Sequence, residues 1–113
     1  MEMRTYVLAM LYTGPTPPTD PARVKELQAG HFANMERLHR EGKLILAGPF
    51  KGGGELEGLF LLDTESVEEA KAWCDSDPAI AAGDLRVELH RWYSAKGIGI
   101  YSGENHPAPE ASS

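Results

Sequence analysis

Two apolar runs, Lys43 to Phe50 (KLILAGPF) and Leu56 to Asp63 (LEGLFLLD), are separated only by Lys51-Gly52-Gly53-Gly54-Glu55. So short a glycine-rich link forces neighbouring strands to fold back as an antiparallel hairpin, because a parallel pair needs a crossover of a dozen or more residues. The segments on either side must therefore build around a hairpin. Before it, Arg4 to Tyr12 (RTYVLAMLY) reads as a strand, stopped by Gly14-Pro15 and Pro17-Pro18. Asp20-Pro21 then opens a long helix, with an Asp free to accept from early backbone N–H groups and a Pro where no donor is needed. Val24, Leu27, Met35 and Leu38 recur at helical spacing, and Glu41-Gly42 closes the helix.

After the hairpin, Ser66-Val67-Glu68-Glu69 matches the capping box that starts a helix. This second helix turns Val67, Ala70, Trp73 and Cys74 inward. Asp77-Pro78 opens a further single turn that Gly83 ends, and Leu85 to Tyr93 (LRVELHRWY) alternates as a last strand. The order β-α-β-β-α-β predicts an α+β, ferredoxin-like domain over residues 1–95: a four-stranded antiparallel sheet with two helices on one face. In the last strand Leu85, Val87 and Leu89 face the helices, while Arg86, Glu88, His90 and Trp92 face away. A mixed second face suits closure against another subunit around a semi-polar cavity, or plain exposure to solvent. Residues 96–113 turn to Gly, Ser, Pro and Ala. Ile98, Ile100 and Tyr101 suit a short added strand, and Glu104 to Ser113 reads as a disordered tail.

The 113 residues fit one core, and the formal net charge of −6, with scattered Lys and Arg, speaks against a nucleic-acid partner. No segment approaches the roughly 20 apolar residues that cross a bilayer, so a cytoplasmic protein without membrane contact is expected. The lone Cys74 falls in the apolar stripe of the second helix and reads as core.

His31 stands out chemically. It lies four residues after Leu27 and four before Met35, where the stripe calls for an apolar side chain. An inward imidazole needs a hydrogen-bond partner, whether as a satisfied core residue or as a proton-transfer group. Asp77 is the natural candidate partner, although capping alone explains an Asp before Pro. His31 and His39 lie about 12 Å apart along the helix, too far to share a metal ion, so no metal site is expected. The triple glycine lacks a following Lys-Ser or Lys-Thr and reads as a turn. Arg86, His90 and Trp92 are candidate ligand-binding residues of the second sheet face, and Tyr6 and Tyr12 are candidates to wall a pocket.

The pattern His31-Phe32, Leu38, Gly42-Lys43-Leu44, Ala47-Gly48-Pro49, Gly58, Glu68-Glu69-Ala70, Trp73, Asp77-Pro78 and Gly83 resembles the YCII-related family in order and spacing. The resemblance implies a dimeric α/β barrel with a cleft holding a His–Asp acid/base dyad, which falls here on His31 and Asp77. It implies a homodimer, and an imidazole oriented by a carboxylate leads to the expectation of a cofactor-independent lyase or isomerase that moves a proton on a small organic-acid-like ligand. A non-catalytic ligand-binding or accessory protein on the same fold is the alternative. The Pro-rich loop from Gly14 to Thr19 departs from shorter family members and bears on the shape of the cleft.

Overall fold

The computed structural model describes residues 2–97. Its elements run β1 (Met3–Thr13), α1 (Pro21–Arg40), β2 (Leu44–Pro49), β3 (Leu56–Leu62), α2 (Val67–Asp75), the single turn α3 (Pro78–Ala81) and β4 (Leu85–Ala95). The strands form one antiparallel sheet in the order β2-β3-β1-β4. This is the ferredoxin-like βαββαβ architecture, and it agrees with the expected order and nearly with the expected boundaries. The strand and tail expected beyond residue 97 lie outside the described residues.

Local chemistry sets the helix ends. Asp20 caps α1, its side chain accepting from Ala22 N at 3.2 Å. At the other end Gly42 takes φ +75°, so that Gly42 N reaches His39 O at 3.0 Å and Lys43 N reaches Leu38 O at 2.9 Å. These two bonds satisfy carbonyls that the end of a helix leaves orphaned and turn the chain directly into β2. The capping box of α2 forms only in part. Ser66 Oγ accepts from Glu69 N at 3.0 Å, but Ser66 N donates to the Thr64 hydroxyl at 3.0 Å instead of to Glu69. The nearly buried Thr64 thus takes over half of the expected motif.

Val7, Ala9 and Leu11 of β1, Phe60 and Leu62 of β3, Leu38 of α1, and Ala70 and Cys74 of α2 make one buried cluster between helices and sheet. Fully burying an aliphatic or aromatic side chain of this size stabilises a fold by roughly 1.5–3 kcal/mol. Leu27 and Leu38 are both almost fully buried, so they fix the rotation of α1 about its axis. His31 lies between them on the same stripe and is turned toward the sheet.

The other sheet face carries Tyr6, Leu8, Met10 and Tyr12 of β1, with Trp92, His90, Glu88 and Arg86 of β4 directly opposite in that order. Trp92 and Leu46 are 43% and 40% exposed there. None of residues 15–19 of the Pro-rich loop lines the cleft beside His31. The loop is clipped to the turn before β4, with Thr16 N on Gly83 O at 3.0 Å and Thr16 Oγ1 on Ala82 O at 2.9 Å. No helix among the described residues is long and apolar enough to cross a membrane.

Burial pushes the Cys74 thiol up to about 12, and the nearby carboxylates of Asp75 and Asp77 add to the effect. A thiol reacts through its thiolate. Native protein at pH 8 is therefore expected to leave a disulfide reagent such as dithionitrobenzoate almost untouched, whereas protein unfolded in guanidinium releases one equivalent of chromophore at once. Rapid labelling of the native form would show that α2 does not seal this position.

Candidate active site

Asp77 occupies the joint between α2 and α3, where the chain leaves one helix and caps the next. The sequence allowed two roles for this carboxylate, and its two oxygens take one each. Oδ1 accepts from Ala79 N at 2.9 Å and caps α3, while Oδ2 lies 2.5 Å from His31 Nδ1. Asp77 has no exposed surface, and a buried carboxylate is tolerated only when its oxygens are paired in this way. A carboxylate only accepts, so the hydrogen of the neutral ring resides on Nδ1 and the lone pair on Nε2. Nε2 has no protein partner among the described residues. The ring stacks on Phe60 with centroids 5.9 Å apart and planes 24° apart, while Phe32 tilts against it at 5.8 Å. The His31 side chain retains 18% of its exposure, whereas that of Asp77 retains none.

The two helices come close enough for this contact because Gly30 has no side chain. A Cβ at that position would stand 2.6 Å from Pro78 Cγ. Gly30 and Pro78 are the immediate chain neighbours of His31 and Asp77, so their contact sets the spacing of the pair.

A second polar tie, which the sequence reading missed, lies one turn further along α1. Asn34 is buried, and its Oδ1 accepts from Arg37 Nη2 at 2.8 Å and lies 3.2 Å from Ser76 Oγ. Arg37 Nη2 also donates to Ser76 Oγ at 3.0 Å, and Ser76 Oγ donates to Trp73 O at 2.6 Å. The last turn of α2 is thereby held to α1 beside Asp77. The available signal was the i+3 spacing of Asn34 from His31, which places a second polar residue on a stripe otherwise read as apolar.

His31 opens onto a cleft of about 360 Å³ between α1 and the β2–β3 side of the sheet. That volume falls in the lower range of small-molecule sites. Leu11, Leu27, Met35 and Phe60 make apolar walls, and Gly48 and Gly58 contribute no side chain to the floor. Gln28, Glu57 and Asp84 are polar lining residues, and no Lys or Arg lines the cleft among the described residues. The organic-acid ligand expected from the sequence therefore meets no cation here. Glu57 and Asp84 also had no place in the sequence reading.

Arg86, His90 and Trp92 are not brought together with this pair. They pair with Tyr12, Leu8 and Tyr6 across the β1–β4 ladder and so occupy the far face of the sheet. Tyr12 lies on that face too, with the Arg86 guanidinium 4.4 Å over its ring. His39 Nδ1 sits 3.0 Å from Leu44 O, a local contact at the end of α1.

The YCII-related domain matches residues 6–93. Protein YciI of Escherichia coli O6:H1 is 35% identical over 65 residues, 50% of this chain and 66% of that protein. The uncharacterized protein YjpA of Bacillus subtilis is 31% identical over 68 residues, 60% of this chain and 78% of that protein. Among solved structures, 5-chloro-2-hydroxyhydroquinone dehydrochlorinase (TftG) from Burkholderia phenoliruptrix AC1100, in complex with 2,5-dihydroxybenzoquinone, superposes with a TM-score of 0.52 at 28% identity. The match covers 75% of this chain and 92% of that one.

The approach of Gly30 to Pro78 has a measurable consequence. Ala is the better helix former by about 1 kcal/mol, but forcing a methyl into a closed contact costs about 1–3 kcal/mol. Gly30→Ala is therefore expected to lose about 1 kcal/mol net, read as a Tm lower by about 4–8 °C. An unchanged or raised Tm would show that the two helices have slack.

Proposed function

The chain belongs to the YCII-related domain family, and on that premise we propose that it is a small-molecule enzyme of lyase or isomerase type, with His31 as its acid/base and Asp77 as the residue that orients it. The observation that carries this reading is the 2.5 Å contact of His31 Nδ1 with Asp77 Oδ2 at the wall of an accessible cleft. The substrate class is taken from the structural relative, a dehydrochlorinase of a hydroxylated ring crystallised with a dihydroxyquinone. Nε2 removes the proton of a ring hydroxyl, the O–H electron pair becomes a carbonyl π bond, and the displaced ring π pair takes a proton at carbon. The net change is an isomerisation from enol to ketone. Where that carbon carries a leaving group, removal of a second hydroxyl proton pushes electrons through the ring and expels the group with its bonding pair. The net change is then loss of HX.

The first half of this chemistry leaves a mark even without a leaving group, because a ring carbon protonated from D2O and deprotonated again exchanges its hydrogen. Under anaerobic conditions the protein is expected to speed deuterium exchange into hydroxyhydroquinone, followed by proton NMR. A positioned acid/base contributes about 10²–10⁴ in rate, so His31→Asn is expected to lose that much. Asp77→Asn keeps an oxygen to cap α3, but its amide donates toward Nδ1 and moves the ring hydrogen onto Nε2. It is expected to lose at least 10² while melting near the wild-type temperature. Exchange by the wild type no faster than by His31→Asn, with the ring bound and returned unchanged, would favour a binding protein instead.

We also propose that the far sheet face closes against a second copy, so that Arg86, His90 and Trp92 meet any ligand of their own between two sheets. The exposed Trp92 and Leu46, beside the half-buried Leu8, Met10, Tyr12 and Leu59, support this. A stable interface buries at least about 1,000 Å². Light scattering on an eluting peak is expected to give twice the 12.3 kDa chain mass, and Trp92→Glu with Leu46→Glu to return it to one. A monomeric wild type at micromolar concentration would overturn the assembly.

A further inference from the structure

We propose that Glu57 is a specificity-determining residue of the cleft: it accepts a hydrogen bond from a ring hydroxyl remote from the one that His31 deprotonates, and with Asp84 it turns anionic rings away. The role given to His31 rests on the proton-transfer reading above, whereas that given to Glu57 rests on the build of the cleft.

The ladder between β1 and β3 pairs Leu11 with Gly58 and then Tyr12 with Leu56, which leaves Glu57 as an extra residue without a partner on β1. Gly58 pairs with the core residue Leu11, so in a regular strand its neighbour Glu57 would point to the far sheet face. The bulge breaks that alternation, and Glu57 lines the cleft instead. Bulges recur beside active sites because they re-aim a side chain. The position is held on both sides, with Glu57 O accepting from Phe50 N at 2.9 Å and Thr13 N donating to Glu55 O at 2.8 Å.

The carboxylate itself is oriented. Thr13 Oγ1 donates to Glu57 Oε1 at 2.9 Å, while Oε2 has no protein partner among the described residues. Glu26, Glu41 and Asp75 each stand within ion-pair distance of an Arg or Lys. No such cation stands beside Glu57 or Asp84 among the described residues. A ligand hydroxyl can fill the open acceptor at Oε2, whereas a ligand carboxylate would face two negative charges with no cation to offset them.

The test is equilibrium binding, read by calorimetry without oxygen, of neutral hydroxyhydroquinone against 2,5-dihydroxybenzoate. The wild type is expected to hold the neutral ring at least about tenfold more tightly, since a hydrogen bond to a charged acceptor is the larger kind. In Glu57→Gln the amide oxygen still accepts from Thr13, and affinity for the neutral ring is expected to fall about tenfold. Thr13→Val, which frees the carboxylate to swing, is expected to give a smaller loss. Glu57→Gln with Asp84→Asn together are expected to tighten the benzoate several-fold. Equal binding of the two rings by the wild type, or a Glu57→Gln variant that changes neither affinity, would overturn the proposal.

Binding and exchange separate this inference from the reading it builds on. If His31→Asn keeps the ranking of the two rings and the wild type shows no exchange, the role of Glu57 stands and proton transfer falls. If exchange is rapid and the ranking is absent, the reverse holds.

Discussion

One buried carboxylate joins the fold to the site. Asp77 caps a helix only one turn long, and the same group holds His31 of α1, so the α2–α3 joint and the first helix share an anchor. Removing the imidazole leaves Asp77 Oδ2 buried without its partner, at a cost of about 3 kcal/mol for a charged acceptor. That is a large share of the roughly 5–15 kcal/mol that holds a small domain folded. The pair is thus also a structural element, and the packing of the joint and the orientation of the imidazole depend on the same atoms. Phe60 completes the arrangement by offering its ring face to His31 while its edges remain in the core.

The two sheet faces divide the labour of the molecule. The helix side carries both the core and the cleft, which residues of α1 and of the β2–β3 side of the sheet line together. The far side carries Trp92 and Leu46 together with Arg86, Glu88 and His90, a mixture that neither core nor open solvent explains fully. A β-strand gives each successive side chain to the opposite face, so β4 supplies Val87 and Leu89 to the core at no cost to the composition of the other side. The bulge at Glu57 is the departure from this rule that matters for the cleft.

The fold was legible because its signals are local. Asp20-Pro21, Glu41-Gly42, the glycine-rich link at 52–54 and the alternation from Leu85 each act over a few residues, and each marked an element near its observed end. His31 was legible as an anomaly in a regular stripe. What the sequence withheld depends on distances between elements. The reach of Asp77 Oδ2 follows from the approach of Gly30 to Pro78, which no spacing along the chain encodes. Asn34 and Ser76 meet across 42 positions, and Glu57 joins the cleft only through a ladder irregularity that periodicity places on the wrong face. Arg86, His90 and Trp92 were rightly placed together on one face, but that face is not the one holding the imidazole.

The two glycines of the cleft floor are unequal. A methyl at Gly58 would press within 2.8 Å of the Gly48 carbonyl oxygen and force the edge strand β2 away from β3. A methyl at Gly48 would meet nothing within 4 Å. Gly48 pairs with Leu59, so its substituent would stand on the far face, whereas its neighbour Ala47 pairs with Phe60 and lines the cleft, which gives evolution, or an engineer, an adjustable wall on β2 at position 47. Descendants of this scaffold that accept slimmer or bulkier rings are best sought among those that vary at position 47 while 58 stays bare.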